Sequence, residues 1–203
     1  MRYINETDYW NNLWAKQTHV SANTFALRAH QIIKAKNYST LLDLGCGDGR
    51  DSIFFSSKGL KVTAIDFSPI AINRLRIQNP DIHFILEDIR NMVFKEKSFD
   101  IVYSHLSLQY FDHETTDEII RNIYKILTKN GLLFIKCKST DDQLYGQGEK
   151  VGEDMFWKEH LRHFFSKEYM AKILHRFKVV KIRKNTSIYH EKKSSFIEAI
   201  ATK

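Results

Sequence analysis

Two glycines and a scatter of carboxylates carry the chemistry legible in this chain. The apolar run Thr40-Leu41-Leu42-Asp43-Leu44 closes on Gly45-Cys46-Gly47-Asp48-Gly49, a second run closes on Asp66-Phe67, and a third is followed by Asp88-Ile89. Glycines in such a turn allow positive φ and let another group approach the backbone closely. A dinucleotide fingerprint wants G-x-G-x-x-G, but its third glycine falls on Arg50, and the lysine and spacing of a phosphate-cradling G-x-x-x-x-G-K-[ST] loop are absent. Asp43 and Asp48 flank the loop. Carboxylates there repel a pyrophosphate and suit a ligand with a positive end. Asp66 lies roughly 20 residues past the glycines, the place from which a carboxylate accepts both hydroxyls of a ribose. Phe67 beside it suits a purine face, and Asp88 can accept from an exocyclic amine. A nucleoside with a cationic tail describes S-adenosylmethionine.

These residues need a scaffold that brings strand ends together. Thr40–Leu44, Lys61–Asp66, 82–86, 99–103 and 132–137 read as strands, separated by helical stretches. Ser68-Pro69 is an N-cap followed by a proline at the first helical position, and that helix should stop before Pro80. Thr115-Thr116-Asp117-Glu118 has the form of a capping box opening the next helix, which Gly131 is expected to end. Alternation at this spacing implies an α/β, doubly wound, mostly parallel sheet. Two later runs, 177–183 and 195–201, read as an antiparallel hairpin at one edge, making seven strands. Helical stretches at about 8–16 and 22–36 precede the sheet. One domain is expected over 1–203: an N-terminal helical extension or lid (1–38), a cofactor-binding core (39–137), and a substrate-side segment with the hairpin (138–203).

Composition narrows the class. The 203 residues are 43% hydrophobic and 27% charged, which excludes a disordered chain. Lys+Arg 31 against Asp+Glu 24 leaves +7, a balance compatible with nucleic acid or an acidic small molecule as partner. No run of about 18 apolar residues suggests a membrane span, and residues 1–6 lack a secretory pattern. Two cysteines are too few for a disulfide framework. A cytoplasmic protein with reduced thiols is expected.

At this point the motifs resemble a family. Leu41 to Gly49 is similar to the first motif of the class I S-adenosylmethionine-dependent methyltransferases, Asp66 to the acid of their second, and Glu87-Asp88-Ile89 to their third. Phe99 to Leu106 resembles the fourth and Lys129 to Leu133 the fifth, so the likeness runs in order from about Thr40 to Cys137. Gly49-Arg50-Asp51-Ser52 and Tyr9-Trp10-Asn11-Asn12-Leu13-Trp14 look like the small bacterial tellurite-resistance and thiopurine-type members. The resemblance implies a Rossmann-like methyltransferase fold. It also implies Asp43, Gly45 and Gly47 around the methionine end of the cofactor, Asp66 on ribose, Phe67, Asp88 and Ile89 around adenine, and His105 near the amino acid tail. S-adenosylhomocysteine would be the product.

Other residues have more than one reading. Cys46 between glycines is inert filling before it is a nucleophile. His160 and His163 stand one turn apart if helical, but no third ligand completes a metal set, and no metal is expected. Tyr9, Trp10 and Trp14 recur at helical spacing, as core or as a cover over the cofactor. His105, Tyr110, Tyr145, His160 and His163 are the acceptor-side candidates, of which Tyr110, Tyr145 and His163 are assigned to substrate; no catalytic base is assigned. Lys178, Lys181, Arg183, Lys184, Lys192 and Lys193 make the tail basic, either to guard a sheet edge or to hold nucleic acid. Ser104-His105-Leu106-Ser107 stands where base-amine DNA enzymes carry Asn-Pro-Pro-Tyr, which disfavours that chemistry. The expected activity is methyl transfer to a small-molecule acceptor. The alternatives are an RNA or protein methyltransferase and a non-catalytic cofactor-binding module.

Overall fold

In a computed structural model the chain is described over residues 6–16, 21–189 and 192–203. Residues 1–5, on which the absence of a secretory pattern was read, lie outside them. Two helices come first, α1 (Glu6–Lys16) and α2 (Thr24–Ile33). Alternation follows: β1 (Thr40–Leu44), α3 (Arg50–Ser57), β2 (Lys61–Asp66), α4 (Pro69–Gln78), β3 (His83–Leu86), β4 (Phe99–His105), α5 (His113–Ile126) and β5 (Leu127–Lys138). A three-stranded meander is next, β6 (Glu149–Gly152), β7 (Met155–Lys158) and β8 (His160–His163), then α6 (Lys167–Ile173) and the hairpin β9 (Lys178–Tyr189) and β10 (Lys192–Thr202).

Seven strands form one sheet in the order β3-β2-β1-β4-β5-β10-β9. The first four pairings are parallel and the last two antiparallel, as the alternation and the terminal hairpin require. Period 2 sorts the side chains of each strand to opposite faces. Leu42 and Leu44, with Val102, Leu133 and Ile135, pack against Ile119, Ile120 and Ile123 of α5 and against α6. Leu41, with Val62, Ala64, Ile101, Tyr103 and Phe134, packs against Phe25, Ala26 and Ala29 of α2, Phe55 of α3, and Ile72 and Leu75 of α4. Asp43 shares the parity of Leu41, which points it toward α3 rather than α5.

Local signals set several boundaries. Ser68 caps α4 by accepting from Ala71 N, with Pro69 at the first position. Three expectations need correction. The cap of α5 is Asp112, whose carboxylate accepts from Thr115 N at 2.8 Å, so the Thr115-to-Glu118 box lies inside the helix. Gly131 does not end α5: the helix stops at Ile126, Asn130 takes the left-handed conformation (φ 64), and a Cβ on Gly131 would sit 3.0 Å from Thr128 O. The stretch containing His160 and His163 is a strand, because Asp154 (φ 54) and Glu159 (φ 67) turn the chain twice into an antiparallel meander. No helix among the described residues is long and apolar enough to cross a membrane.

Candidate functional site

The carboxyl ends of β1, β2 and β4 open on a cavity of about 330 Å³, within the usual size of small-molecule sites. Its floor is the loop after β1. Gly45 N and Cys46 N both donate to Ile65 O, at 2.9 and 3.0 Å, drawing the loop against the end of β2. Gly47 N then donates to Asp66 Oδ2 at 2.8 Å, and Ser68 N to Asp66 Oδ1 at 2.9 Å. Both glycines have positive φ (72° and 55°). Their missing side chains are also required by neighbours: a Cβ on Gly45 would meet Ser107 Cβ at 2.5 Å, and one on Gly47 would meet the Trp14 ring at 2.6 Å.

Carboxylates concentrate at this end. Asp43 is 2% exposed and accepts from Ser52 Oγ at 2.6 Å. Burial, with Asp51, Asp66 and Asp48 nearby, pushes its carboxyl up to about 8. Asp66 is buried and also raised by desolvation, against the pull of its backbone donors. Asp48 lines the same space. Asp51, in the first turn of α3, was not singled out from sequence. It accepts from Asn23 N at 3.0 Å, from the Asn23 side-chain amide, and from Tyr103 Oη at 3.0 Å, and burial raises it too. Its place directly after the glycine loop was the available signal.

The remaining predicted residues divide. Phe67, Asp88, Ile89 and His105 all line the cavity. The Asp88 carboxylate is already engaged: Arg90 Nε lies 3.0 Å from both oxygens, Arg90 Nη2 2.5 Å from Oδ2, and Oδ1 also caps the short turn Ile89–Asn91. Tyr110 lines the cavity between Trp10 (4.7 Å between rings) and His160 (5.2 Å). Tyr145 does not line it: its hydroxyl donates to Asp154 Oδ1 at 2.7 Å and its ring packs on Phe156 and Phe164.

His160 and His163 line the cavity from β8, but three apart on a strand they face opposite ways, and no group of three metal-ligating side chains exists among the described residues. Both are buried, and desolvation holds both at about 4, so they are neutral at neutral pH. Arg162 Nε donates to His160 Nε2 at 3.2 Å, which assigns the ring proton to Nδ1; His163 Nδ1 faces Phe111 O at 3.0 Å. Cys46 is also on the wall, and burial drives its thiol well above the ordinary value, the signature of filling rather than a nucleophile.

The front of the cavity is α1. None of its residues is fully buried, yet Tyr9, Trp10, Leu13 and Trp14 all border the space. Polar seams hold it: Ser68 Oγ donates to Asn11 Oδ1 at 2.7 Å and Arg74 Nη1 to Trp14 O at 2.8 Å. Opposite, Lys138 at the end of β5 meets Asp142 at 2.9 Å and Ser194 Oγ at 3.0 Å. Four clustered carboxylates with strand-end geometry fit a cationic nucleoside and oppose a polyphosphate.

Residues 41–131 match a methyltransferase domain family. A malonyl-[acyl-carrier protein] O-methyltransferase of Enterobacter lignolyticus is 28% identical over 138 residues, covering 67% of this chain and 53% of that protein, so the chain spans about half the length of this curated relative. Among solved structures, a methyltransferase of Methanosarcina mazei superposes with a TM-score of 0.79 at 21% identity, over 90% of this chain and 98% of that one. A 1,6-didemethyltoxoflavin-N1-methyltransferase of Burkholderia thailandensis, solved with S-adenosylhomocysteine and its substrate, gives 0.70 at 19%, over 95% and 81%. At these identities the structural likeness speaks to the fold.

Proposed function

We propose that this chain is a class I S-adenosylmethionine-dependent methyltransferase that transfers a methyl group from S-adenosylmethionine to a small-molecule acceptor. The observation that carries the reading is the group of buried carboxylates Asp43, Asp48, Asp51 and Asp66 gathered at the strand ends, which suits a ligand bearing positive charge on a nucleoside. Asp66 takes the ribose hydroxyls; Phe67, Ile89 and the turn of Asp88 flank adenine; Asp43, Gly45 and Gly47 face the methionine end, with His105 near its tail. When bound, the sulfonium supplies an already activated methyl group. The residues of this chain therefore align and shield rather than form a covalent intermediate, and alignment alone is worth up to roughly 7–11 kcal/mol in favourable cases. Tyr9, Trp10 and Trp14 of α1 and the 138–165 segment exclude water from the site. Neutral, weakly basic His160 and His163 are poor general bases, so no base is assigned.

A small acceptor is supported by the cavity's size and by the small-molecule substrate named for the Burkholderia thailandensis enzyme. The tail cations argue less for nucleic acid, since Arg183 pairs with Glu198 and Lys184 with Asp141. A cytoplasmic setting accords with two buried free thiols. Calorimetry with S-adenosylhomocysteine tests the donor reading: the wild type binds, and Asp66→Ala weakens binding at least tenfold while remaining folded by thermal melting. Equal affinity in the two proteins, or uptake of a nicotinamide or nucleoside triphosphate in place of the sulfur compound, overturns it.

A further inference from the structure

The cavity has a second pole. The charges that act most on Asp43 and Asp66 are other carboxylates, whereas Arg162 is the charge that acts on His160 and, after Glu159 and Asp142 respectively, also acts on Tyr9 and Lys138. Arg28, Arg90, Arg121 and Arg183 each pair with a carboxylate, and Lys138 pairs with Asp142. Arg162 is half-buried on the cavity wall and forms no ion pair among the described residues. Its Nε is committed to the buried His160 ring, which itself packs against Tyr9 and Tyr110. That bond fixes the plane of the guanidinium and leaves its two terminal amino groups as a fork, the geometry that receives a carboxylate through two parallel hydrogen bonds. Leu144, Phe164 and Tyr110 supply an apolar surround on the same cavity, suited to the carbon skeleton of an organic acid.

We propose that the acceptor is a small carboxylic acid whose carboxylate docks on the guanidinium of Arg162, with His160 as the positioning residue that holds the fork in place. The proposal rests on the methyl-donor reading of the same cavity and adds the class of acceptor to it. A lysine would not serve equally, because an ammonium offers charge without the planar pair of donors.

The test uses the full chain saturated with S-adenosylhomocysteine, titrated calorimetrically with phenylacetate, glutarate and adipate, with phenylacetamide, glutaramide and adipamide, and with phenyl phosphate. At least one acid is expected to bind, and its amide at least tenfold more weakly. Arg162→Gln should weaken that acid tenfold or more and Arg162→Lys at least fivefold, each keeping S-adenosylhomocysteine affinity within twofold of wild type. His160→Gln retains an acceptor for Arg162 Nε and should bind the acid within threefold of wild type, whereas His160→Leu should fall tenfold. The proposal is overturned if no acid binds, if acid and amide bind alike, if phenyl phosphate alone binds, if Arg162→Gln keeps the acid, or if the two His160 variants behave the same. Failure of the wild type to bind S-adenosylhomocysteine overturns the donor reading and this proposal together; normal binding of it with indifference to acids overturns this proposal alone.

Discussion

Asp43 shows what a single buried carboxyl does to this protein's response to pH. Its ordinary value of 3.8 rises to about 8 in the fold, through burial first and neighbouring carboxylates second. Between those values the folded chain holds a proton that the unfolded chain releases, so its contribution to stability is present in full at low pH and is lost as pH rises through about 8. The melting temperature of the ligand-free protein should therefore fall between pH 6 and 9 more steeply for wild type than for Asp43→Asn. Parallel curves would show that Asp43 is not the group responsible. A positive ligand reverses the balance by favouring the ionised form. Binding of S-adenosylmethionine at pH 7 should release protons, seen as a dependence of calorimetric heat on buffer ionisation enthalpy that Asp43→Asn diminishes. Much of this residue scale was legible in advance: loop glycines, Asp43, Asp66, Phe67, Ile89 and His105 all reach the cavity. Asp51 lines the cavity without having been singled out and Tyr145 stands off it, because sequence gives a residue's neighbourhood but not which way its side chain turns off a loop or a first helical turn.

Among the elements, α5 illustrates how a correct chemical pattern can sit in the wrong frame. Thr115 and Glu118 have the spacing of a reciprocal cap, but Asp112 comes first and its short carboxylate takes Thr115 N. Its carboxyl is held low chiefly by that backbone donor. Asp112→Ala should cost about 1 kcal/mol in denaturant unfolding, while Thr115→Ala should change stability by less than about 0.5 kcal/mol; the reverse order would restore the later cap. Strand β8 was missed for a related reason. A three-residue spacing of histidines is a helical signal unless the turns around it are known, and those turns use Asp154 and Glu159 at positive φ instead of glycine. The five parallel strands escaped this ambiguity because each is a short, continuous run rich in apolar residues. Helix α1, with no fully buried residue, is attached by a few polar seams and an aromatic face. Deletion of residues 1–20 should leave the melting transition of the sheet nearly unchanged but weaken S-adenosylhomocysteine binding and turnover by tenfold or more; unchanged affinity and turnover would remove α1 from the site.

Across the whole molecule, the terminal hairpin is joined to the parallel sheet by charge as well as by backbone pairing. Glu198 of β10 is buried and receives Arg28 from α2 at 2.6 Å, Arg183 from β9 at 2.7 Å and Asn185 at 3.0 Å, with Lys136 of β5 at 3.8 Å. Lys136 is itself buried, with its ammonium 4.2 Å from the Phe196 ring centre, and desolvation lowers it to about 8. Removing one partner of a buried pair leaves the other uncompensated, so Glu198→Ala should destabilise the chain by about 3 kcal/mol. Adding Lys136→Met should recover a large part of that loss, since an apolar replacement of both partners is often neutral. If the double variant is no more stable than the single one by chemical denaturation, Lys136 is not the strained partner. Lys136 and Lys138 are both buried in β5, the strand on which the hairpin pairs.

The two halves of the cavity come from separate stretches of chain. The acidic pole is formed by loops inside 41–131, while Tyr9, Trp10 and Trp14 precede that stretch and Lys138, His160 and Arg162 follow it. On the proposed reading, acceptor selectivity is thereby separated from donor binding. Exchanging the meander for one of different charge should redirect the enzyme toward another class of compound without retuning its grip on the donor, which makes residues 139–165 a natural graft site for re-engineering.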